Sequence, residues 1–80
     1  MPILKIKVCD ADGKPLTGQT VKITDCEQLT TNADGLTQFL INADATLSVV
    51  INGATVWNGA SAELKKEEVF SATGSGFARN

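Results

Sequence analysis

Apolar and polar residues alternate with a period of two along most of this chain. Leu4, Ile6 and Val8 are separated by Lys5 and Lys7, and Val21 and Ile23 by Lys22. Phe39 and Ile41 alternate with Gln38, and Leu47, Val49 and Ile51 form the strongest apolar run. Val56-Trp57 and Val69-Phe70 complete the series. Successive side chains of a strand point to opposite faces, so this period predicts strands with one face in a core and one in water. The residues in these runs, mostly Val, Ile, Thr and Phe, suit a pleated, half-buried surface. Turn signals punctuate the runs at Asp12-Gly13 with Pro15, Asp34-Gly35, Asn52-Gly53 and Asn58-Gly59. Asn and Gly both tolerate positive φ, so Asn52-Gly53 predicts a two-residue type I′ hairpin. Asn32-Ala33-Asp34-Gly35 reads as a longer hairpin loop with its glycine in the left-handed region.

Ser61-Ala62-Glu63-Leu64-Lys65-Lys66-Glu67-Glu68 favours helix, with Ser61 as a potential N-cap. Isolated helices shorter than about 12–15 residues are marginal, so one short helical turn near 61–67 is expected, with a strand starting near Glu68. Thr73-Gly74-Ser75-Gly76 opens an expected flexible tail over 74–80, in which Phe77 is the residue able to pin the chain back. The reading is all-β: one domain over 1–73, a small antiparallel β-sandwich of six to seven strands.

The segment Val8-Cys9-Asp10-Ala11-Asp12-Gly13-Lys14-Pro15-Leu16-Thr17-Gly18, followed by Gln19–Thr24, resembles the opening of transthyretin-like or carboxypeptidase-regulatory-like domains. In these a first strand meets a D-x-x-G-x-P-[LI]-x-G turn and the second strand follows directly. Thr31-Asn32-Ala33-Asp34-Gly35 is similar to their next recurring element, T-[DN]-x-x-G. The likeness covers about residues 3–41 and is shared with Ig-like sandwiches. It implies a sandwich of about seven strands with an accessory or binding role, as in surface proteins, bacterial secretion-spike extensions and phage tail proteins.

Charge narrows the partners. The formal net charge is −2, with no general pull toward nucleic acid or acidic lipid. Lys5, Lys7, Lys14 and Lys22 against Asp10 and Asp12 give the first 22 residues a balance of +2. Residues 23–64 hold Asp25, Glu27, Asp34, Asp44 and Glu63 without a single Lys or Arg, a balance of −5. A small barrel that binds single-stranded nucleic acid needs a basic groove with several exposed aromatic side chains. Only Trp57 suits that part here, so nucleic-acid binding is not expected. No run approaches the ~18 apolar residues of a membrane span. The start, Met1-Pro2-Ile3-Leu4-Lys5, has no signal-peptide pattern, so a cytoplasmic or assembly-associated setting, including a virion, is expected.

The chemistry-bearing residues are few. The chain has no His and no Tyr, which excludes Ser-His-Asp and Cys-His arrangements within it. No phosphate-binding loop occurs, so no cofactor is expected. Cys9 and Cys26 are 17 residues apart and match no zinc spacing; free thiols and a disulfide both remain open. Lys7 shares the strand face of Cys9 but is expected in water, too remote to activate the thiol. Asp10-Ala11-Asp12-Gly13, Asn32-Ala33-Asp34-Gly35 and Asn42-Ala43-Asp44-Ala45 echo one another. Carboxylates beside Gly at this spacing begin calcium loops, making Asp10, Asp12 and Asp34 the weak metal candidates. The competing reading is that the Asx residues of these segments only cap turns through their own backbone.

The candidate interface is an outer row of Ile3, Val50 and Trp57; because Val56 and Trp57 are successive, one of the two faces outward, and a Trp57 buried in the core is the alternative. No charged residue lies between Ala45 and Ser61, so the 47–57 hairpin lacks the charges that normally guard exposed strands. These features predict a non-enzymatic protein-interaction or structural accessory module that uses this hairpin to meet a partner or a second copy, and the resemblance over residues 3–41 implies a place in a phage or bacterial assembly. A small intracellular inhibitor or adaptor and a calcium- or carbohydrate-binding module are the alternatives.

Overall fold

The period-two runs become strands in the computed structural model, which describes residues 3–42, 44–74 and 76–79. In chain order these are β1 (Ile3–Cys9), β2 (Thr20–Ile23), β3 (Leu29–Thr30), β4 (Leu36–Leu40), β5 (Thr46–Ile51) and β6 (Ala54–Ala60). A 3-10 turn (Ser61–Glu63), β7 (Glu67–Thr73) and β8 (Gly76–Arg79) follow. Two four-stranded sheets face each other, in the orders β4-β1-β7-β8 and β3-β2-β5-β6.

Their inner faces make one core. Leu4, Ile6, Val8, Phe39 and Phe70 come from the first sheet, and Val21, Ile23, Leu47, Val49 and Ile51 from the second; all are buried. Each such side chain contributes about 1.5–3 kcal/mol relative to exposure. Ile41, expected within a strand, lies one residue past β4 and is still buried. The alternation therefore reports the inward faces correctly for β1, β2, β4 and β5.

The turn chemistry also holds at Asn52-Gly53, where both residues have positive φ (52° and 85°) and β5 pairs with β6 directly across them. The Asn52 Oδ1 accepts a hydrogen bond from the Thr20 N–H at 3.0 Å, and its Nδ2 donates to Gln19 Oε1 at 2.7 Å. One residue thus closes the hairpin and ties it to the start of β2. Thr31 does a similar service for the loop before β2. Its hydroxyl donates to Leu16 O at 2.7 Å and accepts from the Gln19 N–H at 2.9 Å.

Several features differ from the sequence reading. Asn32-Ala33-Asp34-Gly35 is not a hairpin loop but carries the chain from β3 in one sheet to β4 in the other. The β1–β7 pair is parallel, with Lys5 opposite Glu67 and Cys9 opposite Ser71; the other pairs within the sheets are antiparallel. Alternation records which face is buried and carries no strand direction, so it cannot distinguish the two. Asn58-Gly59 is not a turn but lies inside β6, where the missing glycine side chain makes room for the Trp57 indole. The two-residue β3 is too short to leave a pattern. The expected tail instead returns as β8 against β7, with Ala72 opposite Phe77 and Phe70 opposite Arg79. Ser75 and Asn80 of that expected tail lie outside the described residues, as do Met1 and Pro2. The helical turn expected near 61–67 is present as Ser61–Glu63.

Candidate interaction surface

The Asx-rich segments resolve first. The Asp10 Oδ1 accepts the N–H groups of Asp12 and Lys14, both at 2.9 Å. The Asn32 Oδ1 accepts those of Asp34 at 2.9 Å and Leu36 at 3.1 Å. Gly13 and Gly35 occupy the same place in the two loops with φ of 86° and 73°. Asn serves where Asp does, so the position calls for an acceptor oxygen and not for negative charge. Among the described residues no group of three or more His, Cys, Asp or Glu side chains gathers around one point. Asp10, Asp12 and Asp34 are therefore placed in turns and not brought together as a ligand set. The third segment includes Ala43, which lies outside the described residues.

Both cysteines are free thiols. Cys9 is buried although it follows Lys7 on the outward side of β1, because Pro15 forms a bridge against it. Cys26 is half-buried, and its Sγ donates to Leu40 O at 3.5 Å.

The three residues expected to form one outer row are separated. Val50 does face outward, on the second sheet, between Lys22 of β2 and Thr55 of β6. Trp57 does not join it. It lies opposite Val49, whose side chain is fully buried, and packs half-buried against the core. A bulge between Val49 and Val50 inserts Val56 into β6 and turns Trp57 to the inner side. The indole covers Gly59, where an added Cβ would sit 3.0 Å from the ring. The Arg79 guanidinium stands 5.6 Å from the ring centroid, a cation–π distance. Arg79 Nε also meets Glu68 Oε1 at 3.4 Å, and Glu68 is almost wholly buried. The second carboxylate oxygen of Glu68 accepts the Lys65 N–H at 2.6 Å. Glu68, Arg79 and Trp57 thus close the side of the sandwich where β8 and β6 meet. Sequence reading missed this triad, though Glu68 shares the inward parity of Phe70 two residues on.

Ile3 is exposed, on the outer face of the first sheet, and its cross-strand partner is Leu40 of β4. Ile3 is 50% and Leu40 59% exposed, and they are the large hydrophobic residues most open to solvent among those described. The parity that buries Phe39 already sends Leu40 outward, so the sequence held this signal. Ile3 also borders a groove of about 300 Å³, which runs over Leu4 and Ile41 to Leu64, Lys65 and Lys66. A second, shallower depression of about 230 Å³ lies on the other side of Ile3, against Gln38, Phe39 and Leu40. An apolar ridge between two hollows, on a face that also carries Lys5 and Lys7, is a surface suited to protein contact. Among the described residues no helix is long and apolar enough to cross a membrane.

No curated protein and no solved structure matches the chain. The family model for macroglobulin domain MG4 matches residues 1–72. That family consists of non-catalytic Ig-like β-domains, in agreement with the sandwich described above. The match upholds the Ig-like part of the likeness read over residues 3–41 and not its transthyretin-like part. With nine-tenths of its residues covered by that match, the chain belongs to the macroglobulin domain MG4 family.

Proposed function

We propose that this domain is a non-enzymatic interaction module that docks on another protein through the outer face of its first sheet, as an accessory or structural part of a larger assembly. The observation that carries the reading is the cross-strand pair Ile3–Leu40, two large apolar side chains held at half exposure or more while eleven others pack in the core. Leaving such a pair half in water forgoes roughly half of the ~1.5–3 kcal/mol that full burial of each side chain is worth, which a docked partner would recover. The membership in a family of non-catalytic Ig-like domains supports the same reading. A phage or bacterial assembly is the setting that the likeness over residues 3–41 implies.

The test is a photoreactive amino acid placed at Leu40, with the same probe at Lys22 on the opposite sheet as control. Irradiation in the cells that make the protein is expected to give a discrete adduct from position 40 and none from position 22. Adducts of equal yield from both positions, or from position 22 alone, would place the docking face elsewhere.

A further inference from the structure

The groove beside Ile3 has a more specific character than the ridge. Its floor is apolar, from the buried Leu4 and Ile41, and its sides are the exposed Ile3 and the half-buried Leu64. Its charged lining residues are Lys65 and Lys66. Among the described residues the ion pair present is Glu68–Arg79, so neither lysine is neutralised by the protein's own carboxylates. The nearby acids do not line the groove. Glu68 is buried under Arg79, Glu67 stands opposite Lys5 on the sheet, and Glu63 reaches toward Gly59.

The groove is also built in advance. Ser61 and Ala45 hold each other through Ser61 N–H to Ala45 O at 2.8 Å and Ala45 N–H to Ser61 Oγ at 3.2 Å. The Leu64 N–H donates to Ser61 O at 3.0 Å, and the Lys65 N–H donates to Glu68. The Lys5 N–H donates to Lys66 O at 2.9 Å. Five hydrogen bonds therefore fix the segment that carries both lysines, and little backbone order has to be gained on binding. A volume near 300 Å³ is at the lower end of ligand sites, room for one or two side chains and not for a large cofactor.

We infer that this groove binds an extended protein segment that presents a large apolar side chain next to carboxylates. The apolar side chain sits between Ile3, Ile41 and Leu64, and the carboxylates meet Lys65 and Lys66. The inference rests on the interaction-module reading and names the chemistry of its partner. Charge complementarity selects this occupant: two unpaired ammonium groups beside an apolar floor favour a segment with the opposite sign and repel a basic one.

The experiment titrates the intact protein with a blocked peptide of sequence Asp-Leu-Phe-Asp-Glu and, separately, with Lys-Leu-Phe-Lys-Lys, following backbone amide shifts. Saturable shifts confined to the surroundings of Ile3, Ile41 and residues 64–66 are expected with the acidic peptide, weakening as salt is raised. The double variant Lys65→Glu, Lys66→Glu is expected to keep the wild-type melting temperature, since both side chains are exposed, and to lose about tenfold or more in affinity. Absence of binding, equal binding of the two peptides, or affinity undiminished in the double variant would overturn the inference. So would a change in the sedimenting mass of the protein alone on charge reversal, which would make a second copy the occupant. If the position-40 crosslink persists while the acidic peptide fails, the module reading stands and this one falls.

Discussion

Single residues decide more here than their size suggests, and the two Asx loops show how. Gly13 and Gly35 share a left-handed conformation and the same Asx capping, yet their surroundings differ. A Cβ at Gly13 would meet nothing within 4 Å, whereas at Gly35 it would lie 2.6 Å from Val8 O and 3.1 Å from the Pro15 Cβ. The Val8 carbonyl cannot retreat, since it accepts from the Leu16 N–H while the Val8 N–H is bound to Gly35 O. Gly13→Ala is therefore expected to cost about 1–2 kcal/mol, the price of left-handed backbone for an L-residue. Gly35→Ala adds a backbone clash and is expected to cost about twice that or more, read as a shift of the urea midpoint. Equal midpoints for the two variants would show that the loop around Gly35 adjusts freely. The pattern of turns that carries this contrast was visible in the sequence, because D-x-x-G and N-x-x-G can each cap themselves. The difference between the glycines was not, because Val8 and Pro15 meet Gly35 only through long-range folding.

At the level of elements, β6 and β8 explain why part of the site was misread. Counting back from the Asn52-Gly53 turn puts Thr55 opposite Val50 and Trp57 on the same outward side. The bulge at Val56 breaks that count, and every residue beyond it changes face. Val56-Trp57 gives no sign of a bulge by composition, so the error was built into a strict period of two. What the bulge achieves is a lid. It brings the indole over Gly59 and under Arg79, whose guanidinium is also the charged partner of buried Glu68. Arg79→Ala leaves that carboxylate with only the Lys65 N–H described as its donor. The Arg79 side chain is about one-third exposed, so the expected loss is moderate, about 1–3 kcal/mol. It should come with a red-shifted Trp57 emission and faster amide exchange in Phe77–Arg79. Unchanged emission and exchange would mean that β8 is held by its backbone ladder to β7 alone.

For the molecule as a whole, the fold class was legible because burial parity needs no knowledge of which strands pair. Connectivity was not, because β1 joins β4 on one side and β7, some sixty residues later, on the other. The boundary suffered from the same limit: a Gly-Ser-Gly stretch reads as a tail until Phe77 and Arg79 are seen facing Ala72 and Phe70. The family match stops at residue 72, before β8 begins at Gly76. This raises a question that a truncation answers: whether residues 1–72 suffice for the sandwich. In that fragment β7 would become a bare edge strand, Glu68 would lose Arg79, and one side of Trp57 would open to water. Small domains have little stability in reserve, on the order of 0.05–0.15 kcal/mol per residue. The 1–72 fragment is therefore expected to unfold at a markedly lower urea concentration than the full chain and to self-associate through β7. Equilibrium unfolding followed by Trp57 emission, together with sedimentation of both chains, checks this. A fragment as stable and as monomeric as the full chain would show that β8 is an appendage, with the core complete at β7.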